Sequence, residues 1–328
     1  MANAEWGNQT SIMEFILLGF GDFPELHIPL FLVFVVIYIV TMAGNILIIV
    51  LVVANQHLHT PMYFFLGNLS CLETCYTSTI LPKMLISLMT GDRTISINCC
   101  ILQFYFFGSL AATESYLLAM MSYDRYLAIC KPLRYAVLMN NKYCLQLVSG
   151  SWISAFLANF SVIFLMSQLF FCGPHEIDHF FCDFTPVVKL ACSDTHPVEI
   201  VTFFMAFIFT ITPFMLTLSS YIYIMIAILR IPSANGRQKA FSTCSSHLIV
   251  VIIFYGTIII VYMLPDTKTL RDLNKVFSVC YTVLTPLVNP LIYSLRNKEV
   301  HKALRSVLPR LRAFLRAKTI KFDPLKFQ

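Results

Sequence analysis

Charges inside apolar stretches are where this chain shows its chemistry. Asp124 and Arg125 stand side by side in MMSYDRYLAIC, Met120 to Cys130, closing an apolar segment that runs from about Cys100. Ionisable groups in such surroundings are expensive and usually mark function. The pair could be a boundary salt bridge with Arg125 snorkelling to lipid headgroups, or an ionic latch that opens when a helix bundle rearranges. Glu73 lies deep in one apolar stretch and Glu114 in the next, roughly two and a half helical turns before Asp124. Two buried carboxyls on adjacent helices could share a proton or hold a cation. They could equally be protonated and hydrogen-bonded to Asn45, Ser70 or Ser115. His175, His179 and Cys182 have a spacing that could bind zinc or copper, but only if Cys182 is a free thiolate.

The elements that carry these groups follow from composition. The 328 residues are 58% hydrophobic and 12% charged, against about 45–50% and about 25% in soluble domains. A soluble chain of this length needs more polar surface, so the composition implies a polytopic membrane protein. Seven segments are long enough to span a bilayer, which takes about 20 apolar residues. They fall near Ile28–Val53, Met62–Leu88, Cys100–Ile129, Lys142–Gln168, Val198–Leu229, Gln238–Leu264 and Asp272–Leu295. The expected fold is an all-α bundle of seven transmembrane helices over 28–295. A polar outer segment (1–27) precedes it and a cytoplasmic segment (296–328) follows. Pro82, Pro213, Pro286 and Pro290 read as kinks, since neighbouring groups can re-satisfy freed carbonyls in a membrane.

Basic residues orient the bundle. Arg125, Lys131, Arg134, Lys142, Arg230, Arg237 and Lys239 fall on one side, with ten more from Arg296 to Lys326, so most of the 23 Lys and Arg face the cytoplasm. The N-terminus is then outside, where the Asn8 sequon could be glycosylated. Met1 to His27 holds no Lys or Arg and no short apolar core, which argues against a removable signal peptide. Two further sequons, at Asn68 and Asn159, lie within spans. Cys172, Cys182 and Cys192 in the long loop before span 5, with Cys100, form a disulfide framework with three possible pairings. Cys71, Cys75, Cys99, Cys130, Cys144, Cys244 and Cys280 read as reduced packing residues. After Arg296, leucines at helical spacing among Lys and Arg suggest a helix lying on the inner membrane surface.

Taken together, these motifs resemble the rhodopsin-like G-protein-coupled receptors, and within them the odorant (olfactory) receptors. Asp124–Arg125–Tyr126 and Asn289–Pro290 with Tyr293 match the wider superfamily. Pro61 to Leu66, Met121 to Cys130, Ser220–Tyr221, Lys239 to Leu248 and Pro286 to Asn297 match the odorant receptors. The lack of a long acidic insertion in the outer loops resembles the class II, tetrapod-type branch. Ser122 and Leu127 are mild departures, Glu73 stands where the superfamily usually has Asp, and the tail after Arg316 is longer than usual.

The resemblance implies a multi-pass plasma-membrane receptor that binds an odorant among spans 3, 5, 6 and 7. It would activate a stimulatory, olfactory-type heterotrimeric G protein and raise cyclic AMP. It implies disulfides Cys100–Cys182 and Cys172–Cys192. Family pocket positions fall on Phe107, Gly108, Ala111, Ala112, Met205, Ala206, Phe209, Ile258, Ile259 and Tyr262. Activation positions fall on Asp124, Arg125, Tyr126, Tyr221, Lys239, His247, Asn289, Pro290 and Tyr293. The pocket set is apolar apart from the Tyr262 hydroxyl. With no Asp in outer span 3 and no Lys mid-span 7, where Val283 sits, a neutral hydrophobic odorant is expected. Membrane lipid is the other expected partner; no cofactor and no nucleic acid are implied. A transporter would show repeated halves and broken helices, and an enzyme a nucleophile–base pair or metal triad; neither pattern stands out.

Overall fold

The computed structural model describes residues 13–21, 24–172, 175–263, 268–296, 300 and 302–305. Caps and prolines set the helix ends. Helix α1 (Pro24–Ala54) is followed by α2 (Pro61–Thr90), which starts on Pro61, where a missing N–H is harmless. It ends on Gly91 at φ 76°. Helix α3 (Ile97–Cys130) begins at Ser96, whose Oγ accepts from the Cys99 N–H at 3.2 Å. After α4 (Pro132–Leu138), Asn140 caps α5 (Asn141–Met166) by accepting from the Tyr143 N–H at 2.9 Å. The remaining helices are α6 (Phe184–Val188), α7 (His196–Ala206), α8 (Thr212–Leu229), α9 (Ala234–Met263), α10 (Lys268–Val279) and α11 (Thr285–Arg296).

Two junctions are π turns. Residues Phe207–Ile211 join α7 to α8, and Cys280–Leu284 join α10 to α11. Each precedes a proline, Pro213 or Pro286. A proline ring clashes with the carbonyl four residues back, here Phe209 or Thr282, so the helix widens around that residue. Thr285 Oγ1 donates to the Cys280 carbonyl at 3.2 Å, recovering one acceptor. The sequence predicts kinks at these prolines; the structure answers with π turns. Pro82 and Pro290 sit inside unbroken helices.

Among the described residues, five helical segments are long and apolar enough to cross a membrane: Glu25–Ala54, Asn141–Met166, His196–Leu229, Cys244–Tyr262 and Leu273–Ile292. Helices α2 and α3, at 30 and 34 residues, occupy the other two predicted spans and carry the buried Glu73, Glu114 and Asp124. The outward face of α1, with Leu32, Val36, Ile39 and Val50 exposed, suits contact with acyl chains. Helix α3 is central, packing against α2, α5 and α8.

At one end the bundle is closed by a small sheet. Strand β1 (Glu14–Leu17) lies between β2 (Thr94–Ser96), antiparallel, and β3 (Glu176–Ile177), parallel. Alternation turns Phe15 and Leu17 inward, to 0% and 3% exposure. The sequence reads residues 1–27 as merely a polar segment; residues 14–17 instead form the middle strand of the sheet. Cys100–Cys182 ties α3 to the long loop, and Cys172–Cys192 closes that loop on itself. Of the seven other cysteines, only Cys144 and Cys244 are buried, whereas Cys71, Cys75 and Cys99 are exposed, which corrects their reading as packing residues. After α11, Val300 and Ala303 are buried against the bundle. Asn8 and residues 306–328 lie outside the described residues, as do the side chains of Lys239 and Tyr293.

Candidate functional site

Small residues on α3 make room for a cavity of about 140 Å³ near the sheet end of the bundle. Gly108, Ala111 and Ala112 share one face of α3, and Phe107 adds a ring above them. A Cβ at 108 would come within 2.8 Å of Asn159 Oδ1 on α5, so any side chain there requires Asn159 to shift. Met205 and Ala206 reach in from the end of α7, Phe209 from the first π turn, and Tyr281 from the second. Ile258 and Tyr262, one turn apart on α9, complete the wall. π turns recur at functional sites because they re-aim side chains, and here each supplies an aromatic ring to the cavity.

The roof comes from the long loop. The Cys182 N–H donates to Gln103 Oε1 at 2.9 Å, and Gln103 Nε2 donates to the Thr79 carbonyl at 3.0 Å. This fixes the next residue, Asp183, over the cavity. Asp183 Oδ1 accepts from the Phe184 N–H at 2.8 Å and from the Tyr262 hydroxyl at 2.9 Å; the Tyr262 and Tyr281 hydroxyls lie 2.9 Å apart. Burial pushes the Asp183 carboxyl up to about 6, against the pull of those hydrogen bonds. Just upstream, His179 packs between Phe180 and Phe181 with Nε2 3.3 Å from Ser278 Oγ. Burial and the charge of Lys275 hold it down to about 3.

At the opposite end the polar groups are only partly paired. Arg125 Nε is 4.0 Å from Asp124 Oδ2, and Arg125 Nη2 has no hydrogen-bond partner among the described residues. Asp124 instead accepts from the Tyr135 hydroxyl of α4 at 2.8 Å. An Asp124–Arg125 contact at the 4.0 Å limit is a loose pair, and the tighter partner of Asp124 is one the sequence did not suggest. Tyr221 on α8 and His247 on α9 are bonded, hydroxyl to Nδ1, at 2.6 Å. Tyr126 lies between Tyr123, stacked with ring centroids 6.1 Å apart, and Tyr223, tilted at 5.7 Å.

A family profile described as "Olfactory receptor" matches residues 34–310. The chain belongs to the olfactory receptor family. It is 52% identical over 302 residues to Olfactory receptor 11A1 of Homo sapiens, covering 92% of this chain and 95% of that one. It is 47% identical to human Olfactory receptor 1M1 (92% and 97% covered) and 49% identical to Olfactory receptor 5AP2 of Mus musculus (92% and 95%). As an olfactory receptor with several membrane-length apolar helices, it is a membrane receptor and not an enzyme.

Of the ten pocket positions read from the sequence of this olfactory receptor, nine line the cavity. The exception is Ile259, which packs into the main hydrophobic core instead because it is one residue off the Ile258–Tyr262 face. Sequence reasoning missed Asp183, Asn159, Tyr281 and Thr202. Asp183 follows the bridged Cys182 directly and could have been found from that adjacency. Asn159 appeared only as an unused sequon, and Tyr281 is aimed by a π turn with no signal beyond Pro286. The candidate metal triad fails: Cys182 is in a disulfide and His179 is buried, and no group of three metal-ligating side chains occurs among the described residues.

Between the two ends lies a buried polar cluster. Asn289 Nδ2 donates to Glu73 Oε1, while Asn45 Nδ2 donates to the Pro286 carbonyl at 3.3 Å and Ser115 Oγ to the Ala111 carbonyl at 3.1 Å. Of the partners expected for the carboxyls, Ser115 is therefore used within its own helix. Glu73 Oε2, both Glu114 oxygens, Asn289 Oδ1 and Ser109 Oγ have no hydrogen-bond partner among the described residues. Each such buried group costs about 1–3 kcal/mol when left unpaired.

Proposed function

We propose that this chain is a plasma-membrane odorant receptor with seven spans, its N-terminus outside and glycosylated at Asn8. It takes a small, neutral, hydrophobic odorant into the cavity beneath Asp183 and Tyr262. It then activates a stimulatory, olfactory-type G protein at the Arg125 end and raises cyclic AMP. The observation that carries this reading is the gathering of Phe107, Gly108, Ala111, Met205, Phe209 and Tyr262 around one apolar space. An apolar cavity of about 150 Å³ accommodates a benzene-sized molecule, which sets the scale of the odorant in this conformation.

Odorant binding works as a population shift. A ligand moves the equilibrium only by its differential affinity for the two bundle arrangements. The π turns place Phe209 and Tyr281 on helices that continue to the far end, so filling the cavity biases α8, α9 and α11 together. In the active arrangement Arg125 turns to the G protein, Tyr221 and Tyr293 hold the opened form, and Lys239 and His247 line the cleft. Asn289–Pro290 is the joint of α11. Glu73 and Glu114 hold one positive charge between them, as a shared proton or a bound cation, which answers their unpartnered oxygens. The cytoplasmic segment lies against inner-leaflet lipid.

A cyclic AMP screen of a chemically diverse odorant panel in transfected cells tests the reading. G-protein-dependent cyclic AMP without ligand-gated current supports it. A ligand-gated current with no cyclic AMP response overturns it.

A further inference from the structure

A second, larger recess lies on the outside of the bundle, where α2, α3 and α5 leave a membrane-facing crevice of about 730 Å³. Its inner wall is a single apolar row: Leu102, Phe106 and Leu110 recur every four residues on α3, faced by Trp152 and Phe156 on α5. The rings are ordered, with Trp152 stacked on Phe156 at 5.9 Å and Phe106 edge-on to Phe156 at 6.4 Å. At the sheet end of the same crevice stands Lys83 of α2.

Lys83 is out of place as a structural residue. It lies seven residues before the end of α2 at Thr90, about 10 Å along the helix axis at 1.5 Å per residue. A cation at that depth beside lipid calls for a counter-charge. The nearby Asp92, whose carboxyl feels the charge of Lys83, is exposed, turns Oδ1 to the Thr94 N–H and hydroxyl at 2.9 and 2.7 Å, and makes no ion pair with Lys83. Other polar groups at this end are also engaged: Ser96 Oγ caps α3, Thr79 Oγ1 donates to the Cys75 carbonyl at 2.9 Å, and Gln103 holds the roof. What remains is one ammonium at the mouth of one apolar row.

We propose that this crevice binds a single-chain anionic amphiphile, a fatty-acid carboxylate held by Lys83 with its chain laid along Leu102, Phe106 and Leu110. One cation matches one carboxylate, and a row one side chain wide matches one acyl chain. The site is separate from the odorant cavity, on the opposite side of α3, but shares Gln103 with the roof above that cavity. Its occupancy therefore bears on the loop that carries Asp183, independently of which odorant the receptor takes.

The test uses the purified full-length receptor in nanodiscs of zwitterionic lipid, with a diazirine-bearing palmitate as photoprobe. Labelling should map to α3 and α5 peptides and be competed by palmitate but not by hexadecanol, which has the chain without the charge. Lys83→Met should cut labelling at least tenfold and Lys83→Arg should retain it. Leu102→Trp, at a lipid-exposed position, should block labelling by filling the crevice, which guards against a folding defect at Lys83. Equal labelling of Lys83→Met and the unaltered receptor, or equal competition by hexadecanol, overturns the proposal. Competition by phosphatidylglycerol as strong as by palmitate overturns the single-chain assignment.

Discussion

The two ends of the bundle differ in how their buried charges are held. At the sheet end most polar groups near the cavity are committed, Thr202 Oγ1 and His179 Nδ1 being the exceptions among the described residues. Asp183 is bonded to Tyr262 and to the Phe184 N–H, Gln103 bridges Cys182 and Thr79, and Cys182 is covalently tied to α3. At the other end, among the described residues, Arg125 Nη2 and His247 Nε2 have no partner and Arg125 has only a 4.0 Å contact to Asp124. Fully satisfied networks rigidify, whereas half-satisfied ones are poised to re-pair. Under the proposed function, a cross-linked receiving end and a loosely paired output end suit a ligand-shifted receptor, because a signal must be selected at one end and spent on rearrangement at the other.

That contrast can be broken first at its covalent part. Cys100→Ala removes a cross-link between residues 82 apart in sequence, and losing a native disulfide costs about 2–5 kcal/mol. The expected outcome is near-complete loss of surface receptor, read by immunostaining of unpermeabilised cells. Normal surface levels would mean the sheet and the Gln103 bridge hold the roof unaided.

The output end should respond differently. Arg125→Ala is expected to abolish the cyclic AMP response while surface expression stays largely intact, since the closest ionic contact of Arg125 among the described residues is the 4.0 Å one to Asp124. An unchanged response would refute the role of Arg125; a loss of surface receptor would show the end to be structural rather than poised. A third change separates cavity from scaffold. Ala111→Leu fills part of a space of about 140 Å³, and potency for any odorant that activates the receptor should fall at least tenfold. Surface expression should hold, because the added carbons enter empty volume. A smaller shift would place the odorant elsewhere.

How far the sequence foretold this contrast depends on what carried each part. Helices were legible because long apolar runs are local signals. The floor of the cavity was legible because a family pattern marks Gly108, Ala111 and Phe209. The roof was not. Phe15 and Leu17 alternate over only four residues, too few to separate a strand from a tail, and their partners are about 80 and 160 residues away. Likewise Tyr135, the closest partner of Asp124, comes from a loop helix whose docking has no periodic signature. The π turns were half legible: proline marks the fault, but widening and kinking are equivalent answers until packing selects one.

The smallest and most specific effect concerns pH at the roof. His179 is held neutral, its value lowered from 6.5 to about 3 by burial and then by Lys275. An unfolded chain takes up that proton first, so the His179 contribution is present above pH 6.5 and is lost progressively as pH falls toward 3. Asp183 runs the other way, raised from 3.8 to about 6 by burial. Here the folded state takes up the proton first, so stability is gained as pH falls from about 6 to 3.8. Between about pH 6 and 4 the two groups oppose each other, and the unaltered receptor should show a shallow dependence of Tm on pH. Asp183→Asn should expose the His179 loss and make Tm fall more steeply on acidification from pH 7 to 5. His179→Gln should expose the Asp183 gain and reverse the slope. Thermal unfolding of the detergent-solubilised receptor reads both. Identical slopes in all three proteins would show that the roof is open enough for water to screen these groups, and the rigid-end half of the contrast would fall with it.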